Sequence, residues 1–140
     1  MREIKFRGKR IDNSKWVYGY LMQMHKPNRM FIGVWQYMGG EATIKDELFV
    51  SYKEVDPDTI GQFTGLLDKN GKEIYEGDIL KLQYPLNYGF AGIHNKEIIV
   101  TISFESGCFW FTGEGYTDCN WHFYNEYEVI GNIYQNPDLC

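Results

Sequence analysis

Short runs in which apolar and polar residues alternate are the main pattern along this chain. Ile4 and Phe6 alternate with charged neighbours near the start, and the run of residues 16–22 (WVYGYLM) places aromatic rings at positions 16, 18 and 20. Alternation with a period of two is typical of a half-buried β-strand. Further apolar or alternating runs cover residues 30–37, 78–82, 98–105, 108–112 and 129–134. The pattern predicts a mainly β protein with about eight to ten short strands and one or two short helices.

The stretch FTGLLDKNGKEIYEGDIL, residues 63–80, predicts a hairpin. Asn70-Gly71 is typical of a two-residue type I′ turn, because both central residues of that turn need positive φ. A loop of this length places Leu67 opposite Ile74 and Lys69 opposite Lys72. Directly opposed like charges are destabilising, so we expect the tip to project into water. Gly77 predicts a bulge or a sharp turn before the next strand.

The order of these runs predicts one domain over residues 1–140, built from two small and intimately packed β subdomains. The first covers roughly residues 1–62. The second, which we expect to be SH3-like or barrel-like, covers roughly residues 74–140, and the 63–76 hairpin joins them. Residues 83–96 form a long irregular segment between strands, and loops of this length are often functional.

Composition narrows the class of protein. Aromatic residues make up 17% of the 140 residues, which favours strands over long helices. No apolar run approaches the roughly 18 residues that a membrane helix needs. No apolar segment follows the charged start, so we expect no signal peptide and a cytoplasmic location. The three cysteines (Cys108, Cys119 and Cys140) are an odd number at wide spacing, which indicates free thiols rather than a disulfide framework.

Charge is strongly segregated along the chain. Residues 1–30 carry eight basic and two acidic groups, whereas residues 97–140 carry seven acidic groups and no Lys or Arg. This gradient favours packing of the two ends against each other or between copies, so a homo-oligomer is one expectation. A basic arm for nucleic acid is the alternative.

Three segments together resemble the YopX family of small proteins carried by phages and prophages: MREIKFRG at the start, FTGLLDKNGKEIYEGDIL in the middle and EVIGNIYQNPDL at the end. The resemblance implies a phage or prophage origin and a mostly β protein. It implies no reaction, cofactor or catalytic residue.

Two sets of polar residues are candidates for chemistry. Glu76 and Asp78 would share a face of a regular strand and could bind a cation or share a proton, but a break at Gly77 would leave them solvated or capping backbone N–H groups. Cys119 and His122 have C-x-x-H spacing, but a zinc site needs four N/S ligands, and Cys108 and His94 are distant from this pair in the sequence. The acidic surroundings would raise a thiol pKa, which argues against a Cys/His hydrolase. We therefore expect no catalytic residues, metal or cofactor.

A binding role is the expectation that remains. The aromatic cluster in residues 109–127 has no neighbouring Lys or Arg, which favours core and protein interface over base stacking. The expected molecule is an accessory protein that binds another protein, with a nucleic-acid-binding module as the first alternative and an enzyme using Glu76, Asp78, His94 or His122 as the second. The expected binding surface comprises Arg2, Lys5, Arg7, Arg10, Trp110 and Trp121.

Overall fold

The computed structural model describes residues 3–25, 28–37, 48–83, 97–113, 115–119, 121 and 126–139. Strands dominate this part of the chain, so the prediction of a mainly β protein is confirmed. The strands are β1 (Phe6–Lys9), β2 (Trp16–His25), β3 (Asn28–Tyr37), β4 (Leu48–Val55), β5 (Gly61–Leu67), β6 (Glu73–Tyr75), β7 (Asp78–Gln83), β8 (Glu97–Glu105), β9 (Cys108–Gly113), β10 (Tyr116–Asp118) and β11 (Glu126–Asn132). Short 3-10 turns cover Pro57–Thr59 and Pro137–Leu139. No helix in the described segments is long and apolar enough to cross a lipid bilayer.

The chain folds as two compact units, residues 1–62 and 63–140. The first unit ends where the predicted first subdomain ends. The hairpin predicted to join the two subdomains belongs to the second unit.

The first unit is an antiparallel sheet in the order β4-β3-β2-β1, and the first two residues of β5 extend it alongside β1. The chain after β1 returns to the end of β4, where Arg10 bridges Val55. The Ile11 N–H donates to the Glu54 carbonyl at 3.2 Å, and the Asp56 N–H donates to the Lys9 carbonyl at 2.9 Å. These bonds close the sheet on itself at one end.

One face of this sheet forms the core of the first unit. Successive side chains of a strand point to opposite faces, and directly paired residues share a face. Ile32 and Val55 therefore lie on the same face, and both are fully buried. The half-buried Val17 and Leu21 contribute to this face from β2. The opposite face carries the candidate site described below.

The second unit contains an antiparallel sheet in the order β10-β9-β8-β7-β11. Its core is a cluster of buried apolar side chains from β6 to β9: Ile74, Leu80, Leu82, Val100, Ile102, Phe109 and Phe111. Leu80 and Leu82 show the alternation that the sequence predicts for β7. An SH3-like closure of this unit stays a prediction.

The hairpin of the second unit forms, but not with the predicted turn. Leu67 pairs with Glu73 rather than Ile74. The backbone of Asp68 closes a three-residue loop: its carbonyl accepts the Gly71 N–H at 2.9 Å, and its N–H donates to the Lys72 carbonyl at 2.7 Å. Gly71 alone within the loop has positive φ, at +80°. This is a type I turn followed by a left-handed residue, which is the usual three-residue hairpin loop. The predicted type I′ register is therefore wrong by one residue.

The first residue of the hairpin loop, Lys69, is bonded to β11 rather than surrounded by water. The Lys69 N–H donates to the Tyr127 carbonyl of β11 at 2.9 Å, and the Lys69 ammonium pairs with Glu128 at 2.6 Å. Asn70, Gly71 and Lys72 are exposed, whereas Asp68 is buried. The hairpin lies along β11, and only its end projects into water as predicted.

Candidate binding surface on the first unit

The outward face of the first sheet, which we call the tyrosine face, carries Tyr18, Tyr20, Met24 and Tyr52. These side chains are 44%, 55%, 42% and 52% exposed. Solvent-exposed aromatic and methionine side chains grouped on one sheet face are uncommon on monomeric proteins and mark interaction sites.

Strand register places these side chains together. Tyr20 of β2 is paired with Gly33 of β3, and Gly33 is paired with Tyr52 of β4. Gly33 has no side chain, so the two tyrosines are neighbours across it. Met24 lies further along β2, opposite Arg29. Tyr18 joins the same face through the period of two along β2.

A charged pair borders the tyrosine face. Arg29 packs its guanidinium over the Phe31 ring at 5.0 Å and forms two hydrogen bonds to the Glu54 carboxylate, one of them at 2.6 Å. These hydrogen bonds lower the pKa of Glu54. The arrangement supplies a fixed polar edge beside exposed apolar rings.

The described basic residues of the predicted binding surface (Lys5, Arg7 and Arg10) already have interaction partners. Arg7 is only 5% exposed and its guanidinium lies over the Trp16 ring at 4.9 Å. Arg10 is paired with the Asp12 carboxylate through two hydrogen bonds, one of them at 2.8 Å. Lys5 is half-buried and has an interaction partner of its own. Arg2 lies outside the described residues.

The two predicted tryptophans lie in the second unit. Trp121 packs on Phe111, with ring centroids 4.1 Å apart, and belongs to the periphery of the core. The Trp110 indole N–H donates to the Glu105 carbonyl at 3.0 Å, and this side chain is half-buried. Trp121 therefore belongs to the core, as one of the two roles predicted for the aromatic cluster requires. Trp110 is partly exposed and remains accessible to a binding partner.

The carboxylates of the Glu-Gly-Asp motif have different environments. Asp78 is 1% exposed, and its Oδ2 accepts the Tyr75 N–H at 2.8 Å. Glu76 is only half-buried. Asp78 thus closes the turn between β6 and β7, which is the backbone-capping alternative. His94 and His122, which the enzyme and metal alternatives need, lie outside the described residues, and no group of three or more potential metal ligands occurs within the described part of the chain.

Gly77 is fixed by its surroundings. Its N–H donates to the Ile102 carbonyl at 2.8 Å, and its carbonyl accepts the Ile133 N–H at 2.9 Å. Its φ is +80°, and an added Cβ would lie 3.0 Å from the Tyr134 ring. The sharp turn predicted at this position is present, and it links β8 to the C-terminal segment.

We expect Gly77→Ala to destabilise the protein by about 3 kcal/mol, because positive φ costs about 1–2 kcal/mol and the contact with Tyr134 adds to it. Gly71→Ala is the matched control, since Gly71 also has φ +80° but nothing within 4 Å of an added Cβ. It should cost only about 1 kcal/mol. Urea titrations give both values, and equal costs for the two variants would show that the ring contact does not constrain Gly77.

Asp68 has a structural role that the pattern of the sequence did not predict. It is 6% exposed and accepts three backbone N–H groups: from Asn70 at 2.8 Å, from Lys72 at 2.9 Å and from Val129 at 3.1 Å. Burial raises the pKa of Asp68, but these hydrogen bonds outweigh burial and hold the pKa below its usual value of 3.8. An Asp two residues before Asn-Gly was the available signal, because Asp side chains bond backbone N–H groups two residues on.

A small groove lies beside the hairpin, and its lysines form ion pairs with glutamates. It is lined by Lys69, Lys81, Gln83, Glu126, Tyr127 and Glu128. Its volume of about 10 Å³ is no more than one water molecule needs. Lys69 is paired with Glu128 and Lys81 with Glu97 of β8, each at 2.6 Å. This groove offers no room for a small-molecule substrate.

Comparison with known proteins identifies a sequence family and a solved structure of similar fold. The sequence model of the YopX family, described as YopX protein, matches residues 5–140. A crystal structure of the protein EF1440 from Enterococcus faecalis is similar, with a TM-score of 0.59 and 27% sequence identity over 99% of each chain. No curated protein matches the sequence significantly.

Proposed function

This chain belongs to the YopX family, and from that premise we propose that it is a non-enzymatic accessory protein of a phage or prophage that binds another protein in the cytoplasm of the bacterial host. The observation that carries the proposal is the tyrosine face. Tyrosine, methionine and arginine are enriched at protein interfaces, and tyrosine is enriched among the residues that dominate binding energy.

The state of the arginines supports a protein partner over nucleic acid. Phosphate binding needs Lys or Arg groups that are free to replace counterions. Arg7, Arg10 and Arg29 are already engaged by Trp16, Asp12 and Glu54 respectively. The whole chain has a net charge of −5, which opposes long-range attraction to nucleic acid.

The partner we propose offers apolar groups to the rings and a hydrogen-bonding edge to Arg29 and Glu54. Half-exposed tyrosines suit such a partner, because each ring can bury more area while its hydroxyl keeps a polar contact. A second copy of the chain is one protein that fits, since residues 1–62 carry a net charge of +2 and residues 63–140 one of −7.

We expect the double variant Tyr20→Ser/Tyr52→Ser to weaken partner binding by at least about 30-fold, the effect of losing a hot-spot side chain. Tagged wild-type and variant proteins would be used for capture from host cells carrying the phage, and the captured protein would then be purified and titrated by calorimetry. Ile11→Ser is the matched control, because Ile11 is 59% exposed in the same unit but lies in the turn after β1.

Three results would contradict the proposal. The first is equal affinity of the double variant and Ile11→Ser. The second is co-purification of nuclease-sensitive material with retention on single-stranded DNA at low salt, which favours the nucleic-acid module. The third is turnover of a nucleic-acid or cell-wall substrate that Asp78→Asn or Glu76→Gln abolishes. Sedimentation at high micromolar concentration separates self-association from binding of a different protein.

A further inference from the structure

Two cysteines of the second unit are brought together by antiparallel pairing of β9 and β10. Cys108 is the first residue of β9, and Cys119 directly follows the last residue of β10. The ladder pairs Tyr116 with Gly113 and Asp118 with Phe111, so the end of β10 runs towards the start of β9. Residues 11 positions apart in sequence therefore become neighbours in space.

The two thiols are therefore neighbours. A side-chain interaction with Cys108 raises the pKa of Cys119, and burial and the nearby Asp118 act in the same direction. The Cys108 Sγ also lies 3.6 Å from the Phe109 carbonyl oxygen. Both cysteines are reduced and half-buried, so a small reagent can approach them.

We propose that Cys108 and Cys119 are a redox-active dithiol that is converted to an intramolecular disulfide by a low-molecular-weight disulfide of the glutathione class. The proposal is independent of the tyrosine face, which lies in the other unit. It differs from the metal alternative raised by the C-x-x-H spacing, because the pair needs only two sulfurs and no histidine.

The exchange balances through a mixed disulfide. The Cys108 thiol loses its proton to water, and its thiolate attacks one sulfur of the small disulfide, which breaks that S–S bond and releases one small thiolate. Cys119 then loses its proton to water and attacks the Cys108 sulfur, which forms the protein disulfide and expels the second small thiolate. The protein loses two hydrogen atoms, and the small disulfide is reduced to two thiols once the released thiolates take up protons.

Two features of the pair fit this order of events. The raised pKa of Cys119 keeps its proton in place while Cys108 attacks. Once Cys108 carries the small thiol, the pairing of β9 with β10 holds Cys119 near the sulfur it must attack. A resolving thiol held nearby removes the mixed disulfide faster than a second small thiol from solution can.

The test uses the 140-residue chain with Cys140→Ser, so that only the two cysteines of the pair remain. The protein is incubated with oxidised glutathione and measured by intact mass spectrometry and thiol titration. We expect loss of both thiols with no retained glutathione, and a rise in Tm of roughly 5–10 °C, because the bond closes the loop of residues 108–119. Two glutathione adducts that persist on the protein would overturn the proposal. So would two free thiols that remain after a reference dithiol in the same solution has been fully oxidised.

Single variants assign the roles. In the same background, Cys119→Ser should retain one glutathione on Cys108, whereas Cys108→Ser should react at least several-fold more slowly. If either variant does not fold, binding of phenylarsine oxide to the unmutated pair gives the decision, because trivalent arsenic bridges two adjacent thiols. One arsenical per chain, displaced by a small dithiol but not by a monothiol, supports the pair, and no bound arsenical refutes it.

Discussion

Replacing Gly19 by alanine should destabilise the first unit by more than about 3 kcal/mol, and it is the largest effect we expect from adding a single methyl group. Gly19 lies in the middle of β2, where an added Cβ would be 2.0 Å from the Gly33 carbonyl oxygen. That oxygen belongs to the backbone of β3, so it cannot move away without separating β2 from β3. The two strands pair from Tyr20 opposite Gly33 to His25 opposite Asn28, and this ladder would be strained from its first pair.

Urea denaturation followed by far-UV circular dichroism would measure the loss for Gly19→Ala. Gly107→Ala is the control, because Gly107 has φ +79° in an exposed turn and nothing lies within 4 Å of an added Cβ. The control should lose about 1 kcal/mol through its backbone conformation alone. A Gly19→Ala protein as stable as the control would mean that β2 and β3 can move apart freely. The close approach of Gly19 to the Gly33 carbonyl would then not fix the positions of the side chains on the tyrosine face.

Asp68→Ala should lower the free energy of unfolding by about 3–5 kcal/mol, because three backbone donors lose a charged acceptor inside the protein. The Val129 N–H belongs to β11, 61 residues away, so the loss affects both the hairpin and the sheet. Asp56→Ala is a matched control. The Asp56 carboxylate accepts one backbone N–H, from Asp58 at 3.1 Å, in an exposed 3-10 turn, and its removal should cost about 1 kcal/mol. Similar losses in the two variants would contradict the role assigned to Asp68.

The Asp68 carboxylate also predicts an acid dependence of stability. Its pKa in the folded protein lies below the value of 3.8 that it has when exposed, so the charged form is favoured by folding. The contribution is therefore complete above about pH 4 and is lost as the pH falls through the folded pKa. Asp68→Asn should reduce the slope of stability against pH below about pH 4, and an unchanged slope would show that other carboxylates control acid unfolding.

The sequence predicted the class of fold because alternation is a local property. WVYGYLM specifies a strand wherever it lies, and Asn70-Gly71 specifies a hairpin between two strands. The exact turn was not predictable from Asn-Gly alone, because the Asp68 carboxylate stabilises a three-residue loop. The third N–H group that this carboxylate accepts belongs to Val129 of β11. A local pattern does not contain that information.

The candidate site was less predictable than the fold for the same reason. Tyr20 and Tyr52 are 32 positions apart, and they become neighbours only through the registers of β2 with β3 and of β3 with β4. The basic part of the binding surface was predicted from the excess of Lys and Arg in residues 1–30, but the charge of a segment does not reveal that the Arg7 guanidinium lies over the Trp16 ring. Cys108 and Cys119 were each visible in the sequence, and only the pairing of β9 with β10 brings them near each other.

The position of β11 has a consequence for synthesis on the ribosome. β11 is the last strand of the chain, yet it pairs with β7, and its Val129 completes the set of donors to Asp68. While residues 126–132 are still inside the exit tunnel, β7 presents an unpaired edge to solvent and Asp68 lacks one of its partners. The second unit can therefore reach its native state only after β11 has left the tunnel, and until then the open edge of β7 needs protection from aggregation.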